Sequence, residues 1–320
     1  MLKRKIRHDY SLGIDLGGTK IAAGLCEGAK IIRKVVLSTS ASTGFEGVVD
    51  VMAQACRNAM ADVNEKDVSG IGVGAAGQVD SKTGVVLYAP NLKWKNAPLG
   101  EALSMALKMP VRVVNDVRAA TLAEWKFGAG KGFSCFANIF LGTGIGSGFV
   151  MNGALLEGVT NSAGEIGHIC LDPEGPVCGC GHKGCLEAFS SGRGIETEVK
   201  RRLARGEGSS IRDLVADDLK KVSALVIGKA AREGDSMAIE VLRESGAWLG
   251  LALANVHTML NPQIIILGGG LMALKEFFLP EARVVLRRHV LPVADRGNEL
   301  LVEAHFATEA ALIGSAALFS

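Results

Sequence analysis

The chain has 320 residues, which suggests two domains at roughly 100–200 residues per domain. It carries 35 basic against 33 acidic residues, a balance that excludes the strong positive field of a nucleic-acid or anionic-membrane binder. No apolar run reaches the ~18 residues of a membrane span. The basic run 1–10 leads into a glycine-rich strand and turn rather than the apolar stretch of a signal peptide. We therefore expect a cytoplasmic protein with a solvated N-terminal tail and with no nucleic-acid or membrane partner.

Two residue types are unusually frequent or clustered. Glycine makes up 41 of the 320 residues, well above the typical ~7%, and neither a collagen repeat nor a linker accounts for it, so we expect it in specific turns and loops. Of the seven cysteines, three crowd into eight positions, which in a reducing compartment indicates a metal site rather than disulfides. The other four stand among apolar residues and are predicted to be small buried hydrophobic side chains. These four are Cys26, Cys56, Cys135 and Cys170.

The N-terminal part of the chain is predicted to contain short strands interspersed with helices. Apolar runs predict strands at residues 12–16, 20–25, 31–37, 71–74 and 111–114. Apolar residues at helical spacing predict helices at residues 48–59, 99–107 and 116–127. Two of the strands, 12–16 and 111–114, run directly into polar motifs that can carry chemistry.

The pattern of strand, glycine turn and strand starts again near residue 134. At an offset of 125 positions, Ile14, Leu16, Gly17, Gly28 and Ala29 recur as Ile139, Leu141, Gly142, Gly153 and Ala154. This repeat predicts duplicated halves, each with a Gly/Thr hairpin that a nucleotide phosphate can enter. The remaining elements are predicted to be a mostly helical region at 191–261, a buried strand at 263–267 that ends in three glycines, and a closing apolar helix at 307–319.

The two glycine turns are candidate phosphate-binding loops. Glycine in a hairpin tip lets backbone N–H groups approach phosphate oxygens without a clash, and Thr19 and Thr143 add hydroxyl donors. Asp15, on the strand before the first turn, can hold Mg²⁺ through water. The spacing matches neither a Walker A loop nor a dinucleotide fingerprint, and a plain hairpin is the alternative for each turn. The candidate nucleotide-binding residues are Asp15, Gly17, Gly18, Thr19, Lys20, Gly142, Thr143, Gly144, Gly268 and Gly269.

Asn115 and Asp116 follow the apolar strand 111–114 directly. A carboxylate at the C-terminal end of a buried strand commonly faces the ligand cleft of an α/β sheet, which makes Asp116 a candidate for catalysis. The alternative is that Asp116 caps the helix that follows. The two roles are compatible, and the spacing alone favours the cap.

A cluster of cysteine, histidine and glutamate spans residues 164–187. Its candidate metal ligands are His168, Cys178, Cys180 and Cys185. A Cys₃His set suits tetrahedral Zn²⁺ in a closed, structural site; free clustered thiols are the alternative, and Cys170 and His182 are spare ligands. Glu165 and Glu187, interleaved with the ligands, can accept hydrogen bonds from sugar hydroxyls, and His168 can donate to a sugar through its second ring nitrogen.

Taken together, these motifs resemble the ROK family, named for repressors, open reading frames and sugar kinases. The motifs are Asp15-x-Gly-Gly-Thr-Lys20, Asn115-Asp116, the glycine loop 142–148, Gly164-Glu165-x-Gly-His168 and Cys178-x-Cys-Gly-x-x-Gly-Cys-x-Glu187. The resemblance covers essentially the whole chain, and the cysteine motif with its upstream Glu-x-Gly-His is highly specific. One departure is that many members continue Asn-Asp-Ala-Asn where this chain has Val117-Arg118, which weakens any transfer of exact sugar specificity.

The resemblance implies an α/β protein with the duplicated actin-like ATPase (ribonuclease H-like) fold, in two lobes around a cleft. We place the small lobe at residues 1–117 plus 306–320 and the large lobe at 118–305, with a zinc loop at about 168–187. The resemblance also implies that Asp116 is the catalytic base and that the His168 and cysteine set binds zinc. The sugar-binding residues that it implies are Asn115, Asp116, Glu165, His168 and Glu187.

The implied activity is phosphorylation of a hexose by ATP and Mg²⁺, and the stretch 88–94 is most similar to the family's bacterial glucokinases, which favours glucose. N-acetylmannosamine, N-acetylglucosamine and fructose are alternative substrates, and polyphosphate is an alternative donor. A sugar-responsive repressor is a third possibility, but the family's repressors carry an N-terminal helix-turn-helix, for which residues before Asp15 leave no room. We expect a homodimer or homotetramer, although the sequence does not fix the assembly.

Overall fold

The computed structural model describes residues 10–39 and 41–320, so the predicted N-terminal tail lies outside the described residues apart from its last residue. The strands are β1 (Tyr10–Leu16), β2 (Lys20–Glu27), β3 (Lys30–Ser38), β4 (Val68–Ala75), β5 (Gln78–Asp80), β6 (Val85–Ala89), β7 (Trp94–Ala97), β8 (Val111–Asn115), β9 (Phe136–Leu141), β10 (Ile145–Met151), β11 (Ala154–Leu155), β12 (Ile264–Gly268) and β13 (Leu301–Glu303). The helices are α1 (Gly44–Met60), α2 (Leu99–Leu107), α3 (Asp116–Phe127), α4 (Leu186–Ser190), α5 (Gly192–Ala204), α6 (Ile211–Leu214), α7 (Ala224–Arg232), α8 (Ser236–Leu260), α9 (Lys275–His289) and α10 (Ala310–Ala316).

Two five-stranded sheets have the same topology, as the repeat predicts. The first has the order β3-β2-β1-β4-β8 and the second β11-β10-β9-β12-β13, while β5, β6 and β7 form a small third sheet. In the first sheet β1 is antiparallel to β2 and parallel to β4; in the second, β9 and β13 are both parallel to β12. Gly28 and Gly153, which match in the repeat, both have a left-handed backbone, with φ of 57° and 72°.

Strand composition follows burial. The apolar strand β12, between two parallel neighbours, is buried at every residue, because helices usually cover both faces of a parallel strand. At the edge of the first sheet, β3 alternates exposed and half-buried residues, the period expected when one face packs inward. Helix α1 buries Val48, Met52, Ala55 and Ala59 at helical spacing against this core.

Several glycines lie inside strands and helices, so the expectation that they sit in turns and loops is wrong for them. A Cβ added at Gly72 on β4 would lie 1.8 Å from the carbonyl oxygen of Ser315 on α10, and one at Gly13 on β1 would lie 2.1 Å from that of Leu312. A Cβ added at Gly314 on α10 would lie 1.6 Å from the carbonyl oxygen of Ala119 on α3. Part of the glycine excess therefore lets α10 pack directly on the sheet and on α3.

The described chain divides into two compact units. The first contains residues up to Ser134, Gly148–Gly164 and Ala304–Ser320, and the second contains Cys135–Ser147 and Glu165–Glu303. The lobe boundaries predicted from the sequence stay a prediction, because compact units and ligand-binding lobes need not coincide. Among the described residues, no helix combines the length and apolar character needed to cross a membrane.

Two local predictions need correction. Cys26 and Cys56 are buried as expected, but Cys135 is half-buried and Cys170 is exposed. Cys170 belongs to an isolated bridge with Cys185 rather than to a core strand. The closing helix predicted at 307–319 is α-helical only over α10 and continues as 3₁₀ turns at both ends.

Candidate active site

The first glycine turn, residues 17–19, joins β1 to β2 and is held by hydrogen bonds from Thr39. The buried Thr39 donates its hydroxyl to the carbonyl of Gly17 at 2.7 Å and its N–H to the carbonyl of Thr19 at 3.0 Å. The N–H of Gly17 donates to the carbonyl of Lys20 at 3.0 Å. The side chains of Thr19 and Lys20 are exposed, so both can reach a ligand.

Asn115 ends β8 and caps α3. Its Oδ1 accepts from the N–H groups of Val117 and Arg118 at 3.0 and 3.2 Å, while its Nδ2 donates to the carbonyl of Gly77 and to Oδ1 of Asp116. The sequence-based preference for Asp116 as the cap is therefore wrong, because the residue before it takes that position. Asp116 is the first residue of α3, and its carboxylate is held by the cap and by the N–H of Val117.

Asp15 and Asp116 interact electrostatically in the first unit. Burial, followed by the charge of Asp116, raises the pKa of Asp15 to about 6. Burial also raises the pKa of Asp116, against the opposing effect of hydrogen bonds from Val117 and Asn115. The two carboxylates approach one another across β4, where Gly74 stands opposite Asp15 in the register and where an added Cβ would lie 3.3 Å from Cα of Asp116. Such carboxylates have raised proton affinity, which suits either a base or a cation ligand.

The second glycine turn, residues 142–144, joins β9 to β10 and is held by hydrogen bonds from the start of α5. The carbonyls of Gly142 and Thr143 accept from the first N–H groups of α5, those of Gly192 and Arg193, at 2.8 and 3.2 Å. The Thr143 side chain is exposed. In both turns two carbonyls are thus held by neighbouring structure, and a threonine stands exposed at the tip.

Glu187, predicted to bind sugar, also contacts this second turn. Its Oε2 accepts from the N–H of Ile145 at 2.8 Å, and a Cβ added at Gly144 would lie 2.5 Å from the same oxygen. Its Oε1 lies 3.9 Å from Sγ of Cys178. A side chain at position 144 would therefore displace the Glu187 carboxylate, and this carboxylate joins the turn to the cysteine loop.

The cysteine loop brings together the four ligands predicted from the sequence. One donor atom from each of His168, Cys178, Cys180 and Cys185 lies within 4.8 Å of all the others. Sγ of Cys180 lies 3.7 Å from Sγ of Cys185, and Sγ of Cys178 lies 3.8 Å from Nδ1 of His168. Tetrahedral Zn²⁺ with Zn–S bonds of about 2.3 Å requires sulfur atoms about 3.8 Å apart, so the donor set fits this metal.

Glu165 precedes a single 3₁₀ turn, Ile166–His168, of which His168 is the last residue, and both side chains are exposed. Gly167 within the turn packs against β10, where an added Cβ would lie 2.3 Å from the carbonyl of Ile145. The turn is therefore held close to the end of the second glycine turn, which places Glu165 and His168 at the surface.

The glycines after β12 have different surroundings. Gly268 is buried at the end of the strand. Gly269 has φ of +94°, and an added Cβ would lie 2.4 Å from the carbonyl of Leu141, so packing alone accounts for glycine there. Gly270, by contrast, is exposed and has open space where a Cβ would be.

Two contributors to the site were missed by the sequence reasoning. Thr39 holds the first glycine turn. Glu309 accepts from Nζ of Lys34 through its Oε1 at 2.6 Å. The negative charge of Glu309 raises the pKa of Asp15, whereas the positive charge of Lys34 lowers it. Neither lies in a motif, and both act on residues far away in the chain. Only the paired strands β2 and β3 and the position of α10 bring them close.

Paired sheets of equal topology, each with a glycine hairpin between its first two strands, define the actin-like ATPase fold, and the chain is an α/β protein of this type. The chain belongs to the ROK family, whose profile matches residues 11–320. It is 35% identical over 316 residues to the glucokinase of Streptomyces coelicolor, with 96% of each chain covered. It is 31% identical over 310 residues to the N-acetylmannosamine kinase of Escherichia coli, with 96% of this chain and 97% of that one covered. The crystal structure of a ROK family glucokinase from Streptomyces griseus in complex with glucose and AMPPNP matches with a TM-score of 0.82 at 34% identity, covering 97% of this chain and 99% of that one.

Proposed function

We propose that this protein transfers the γ-phosphoryl group of ATP to the 6-hydroxyl of glucose, with Asp116 as general base. The broader activity, ATP-dependent phosphorylation of a hexose, is supported by the family and by its glucokinase relatives. The observation that carries the role of Asp116 is its arrangement at the start of α3, where Asn115 supplies the cap. The carboxylate is thereby fixed in place without having to cap the helix itself.

Asp116 is the proposed acceptor of the hydroxyl proton. Its burial raises the pKa, and a carboxylate of raised pKa is a stronger base when it is ionised at neutral pH. Asn115 orients it through the bond from Nδ2 to Oδ1 at 3.0 Å. The second carboxylate oxygen, Oδ2, is the proposed proton acceptor, since both hydrogen bonds from Asn115 and Val117 end on Oδ1.

The glycine turns are the proposed binding elements for the nucleotide. Thr19, Thr143 and the turn amides would donate to phosphate oxygens, and Lys20 would add a positive charge. Mg²⁺, when bound, neutralises the charge that develops on the phosphates, and Asp15 is the proposed residue that holds it through water. Gly268 and Gly269 are proposed to lie near the adenosine, and the open space at Gly270 favours such an approach.

The proposed sugar-binding residues of the second unit are Glu165, His168 and Glu187. Zn²⁺, when bound to His168 and the three cysteines, supplies a structural cross-link that orders residues 168–187. His168 would then be oriented through one ring nitrogen, leaving the other to donate to a sugar hydroxyl. These carboxylates and this imidazole suit the hydroxyls of a pyranose rather than a phosphorylated substrate.

The second candidate substrate is an N-acetyl sugar. It is favoured by the 31% identity to the E. coli N-acetylmannosamine kinase over nearly the whole chain. The decisive comparison is kcat/KM for glucose, mannose, fructose, N-acetylglucosamine and N-acetylmannosamine, with ATP and polyphosphate as donors. An N-acetyl sugar preferred tenfold over glucose, which is about 1.4 kcal/mol, would replace the glucose assignment. Sugar binding without any turnover would favour a regulator.

Asp116→Asn tests the base. Asparagine retains the shape but cannot accept the proton, so kcat should fall by ~10²–10⁴ while the Kd for glucose changes little. The matched control is Asp50→Asn, which alters an exposed carboxylate on α1 of the first unit. Retention of the wild-type kcat within about threefold would remove Asp116 from the base role. The proposed homodimer or homotetramer is checked separately by light scattering of the purified protein.

A further inference from the structure

Arg118 is a buried cation two residues after the proposed base. Only 5% of its surface is exposed, although arginine is almost never buried unless it is paired. It is also one of the two positions, with Val117, at which the sequence departs from the pattern of many ROK family members. A buried charge placed in the first turn of the helix that begins with Asp116 calls for a physical account.

Three hydrogen-bond partners of Arg118 lie in one short segment. Its Nη2 donates to the carbonyl oxygen of Asn161 at 2.7 Å, with longer contacts to those of Glu157 and Ala163 at 3.3 and 3.4 Å. Residues 157–163, which we call the arginine-bound loop, leave β11 and lead through Gly164 directly into Glu165. The guanidinium thus ties the first turn of α3 to the loop that precedes the proposed sugar-binding motif.

The arginine-bound loop is closed on itself. The N–H of Ala163 donates to the carbonyl of Glu157 at 3.2 Å. Gly158 and Asn161 both have left-handed backbone, and a Cβ added at Gly158 would lie 2.9 Å from that of Ala163. The loop also has a second attachment, because Oγ of Ser81 donates to the Glu157 carboxylate at 2.9 Å.

A shorter side chain cannot reproduce this arrangement. All three contacts are made by Nη2, at the far end of the arginine side chain. Lysine keeps a positive charge and most of this reach but lacks the planar guanidinium, whereas asparagine is uncharged and several ångströms shorter. Removing the arginine would leave three half-buried carbonyl groups of the loop without their cationic partner, and the loss of these bonds favours rearrangement of the loop. Asparagine at position 118 would therefore leave the closed loop held by Ser81 and by its own internal bond.

We propose that Arg118 is a positioning residue that sets sugar specificity by holding the arginine-bound loop in one conformation, and thereby the backbone through which the chain enters Glu165. This inference rests on the proposed function and deepens it. The effect expected is on sugar recognition, since neither Arg118 nor the loop belongs to the glycine turns proposed to bind ATP.

The test compares wild type with Arg118→Asn, Arg118→Lys and Ser81→Ala, in full-length protein, over the five sugars named above. Arg118→Asn should raise KM for the preferred sugar about tenfold, because small displacements of positioning groups carry penalties of this order, while KM for ATP stays within about twofold. The ratio of kcat/KM between the preferred sugar and the others should fall. Ser81→Ala should raise the sugar KM and lower the specificity ratio as well, but by less than Arg118→Asn does. The sugar KM and the specificity ratio of Arg118→Lys should fall between those of wild type and Arg118→Asn.

Arg57→Asn is the matched control, because Arg57 also donates to a backbone carbonyl of the first unit, that of Ala106 at 3.1 Å, but lies outside the site motifs. It should leave KM and the sugar ratios unchanged. Hydrogen exchange supplies a readout besides activity: the Ala163 amide should exchange faster in Arg118→Asn.

Wild-type KM and sugar ratios in Arg118→Asn would overturn the inference, and so would a uniform loss of kcat with unchanged KM. Should Arg118→Asn fail to fold, unchanged sugar KM and ratios in Ser81→Ala would overturn it alone. A wild-type protein inactive with every sugar would refute the proposed function and this inference together.

Discussion

Replacing Asp15 by asparagine should stabilise the ligand-free protein at neutral pH. Burial and the charge of Asp116 raise the pKa of Asp15 from 3.8 to about 6. Below about pH 4 the carboxyl is protonated in both the folded and the unfolded state, so it carries no penalty. Between about pH 4 and pH 6 the unfolded chain releases the proton and the folded chain retains it, so the free energy of unfolding falls as pH rises.

Above about pH 6 the folded protein bears the full penalty, which corresponds to at most about 3 kcal/mol for a rise of this size. Asparagine cannot ionise, so Asp15→Asn should be more stable than wild type by up to this amount at pH 7.5, with the difference vanishing towards pH 4. The measurement is urea denaturation at pH 4.5 and pH 7.5, without Mg²⁺ or nucleotide, since a bound cation would remove the penalty. The same variant should lose kinase activity if Asp15 holds Mg²⁺.

Asp80→Asn is the control, because the pKa of Asp80 is shifted in the opposite direction from that of Asp15. Hydrogen bonds from the Thr83 hydroxyl and the Lys82 N–H lower the pKa of Asp80, so its ionised form favours the folded state above its unfolded pKa, and this contribution is lost as pH falls. Asp80→Asn should therefore be less stable than wild type at pH 7.5. A destabilising charge on Asp15 is refuted if Asp15→Asn is no more stable than wild type at pH 7.5, or if its gain in stability is as large at pH 4.5.

Two further predictions concern the second unit. Purified protein should contain about one Zn²⁺ per chain. Cys180→Ser should lower zinc content and melting temperature together, whereas the control Cys56→Ser should leave zinc content unchanged. Full activity and an unchanged melting temperature of metal-free protein would contradict a structural zinc. Glu165→Ala should raise KM for sugar much more than for ATP, whereas Glu187→Ala should raise both, because Glu187 accepts from the N–H of Ile145 next to the second glycine turn; identical KM patterns for the two variants would contradict this difference.

Local pattern was sufficient for the elements on which the site is built. The helix predicted at 116–127 coincides with α3, because its cap, its apolar spacing and the glycine that follows are all encoded within fourteen residues. The clustering of the His168 and cysteine donor atoms could be anticipated for the same reason, since residues 168–185 form a short segment in which they lie within 4.8 Å of one another, while their role as metal ligands stays a prediction. The repeat at an offset of 125 correctly indicated two sheets of one topology.

Contacts between distant residues could not be predicted in this way. The hydroxyl of Thr39 reaches Gly17 across 22 positions, and α10 meets Gly13 and Gly72 across more than 240. A single sequence shows that glycine is frequent but not which helix approaches it. The cap of α3 could not be predicted for a different reason. Both Asn115 and Asp116 are residue types that cap helices, and only the extended backbone of Asn115, with ψ of 145°, shows that it is the cap.

The contacts of Glu187 link the cysteine loop to the second glycine turn. This carboxylate lies two residues after the proposed ligand Cys185, as the second residue of α4. Its Oε1 lies 3.9 Å from Sγ of Cys178, and its Oε2 accepts from the N–H of Ile145 at 2.8 Å. Where zinc binds as proposed, its removal would release the thiols from their tetrahedral arrangement, and the position of Glu187 would relax with them. The second glycine turn would then lose one of its fixed contacts. The loss of zinc should therefore weaken ATP binding as well as sugar binding, which isothermal titration with AMPPNP in zinc-loaded and zinc-depleted protein would detect; an unchanged Kd for AMPPNP would limit the metal's influence to the sugar-binding residues.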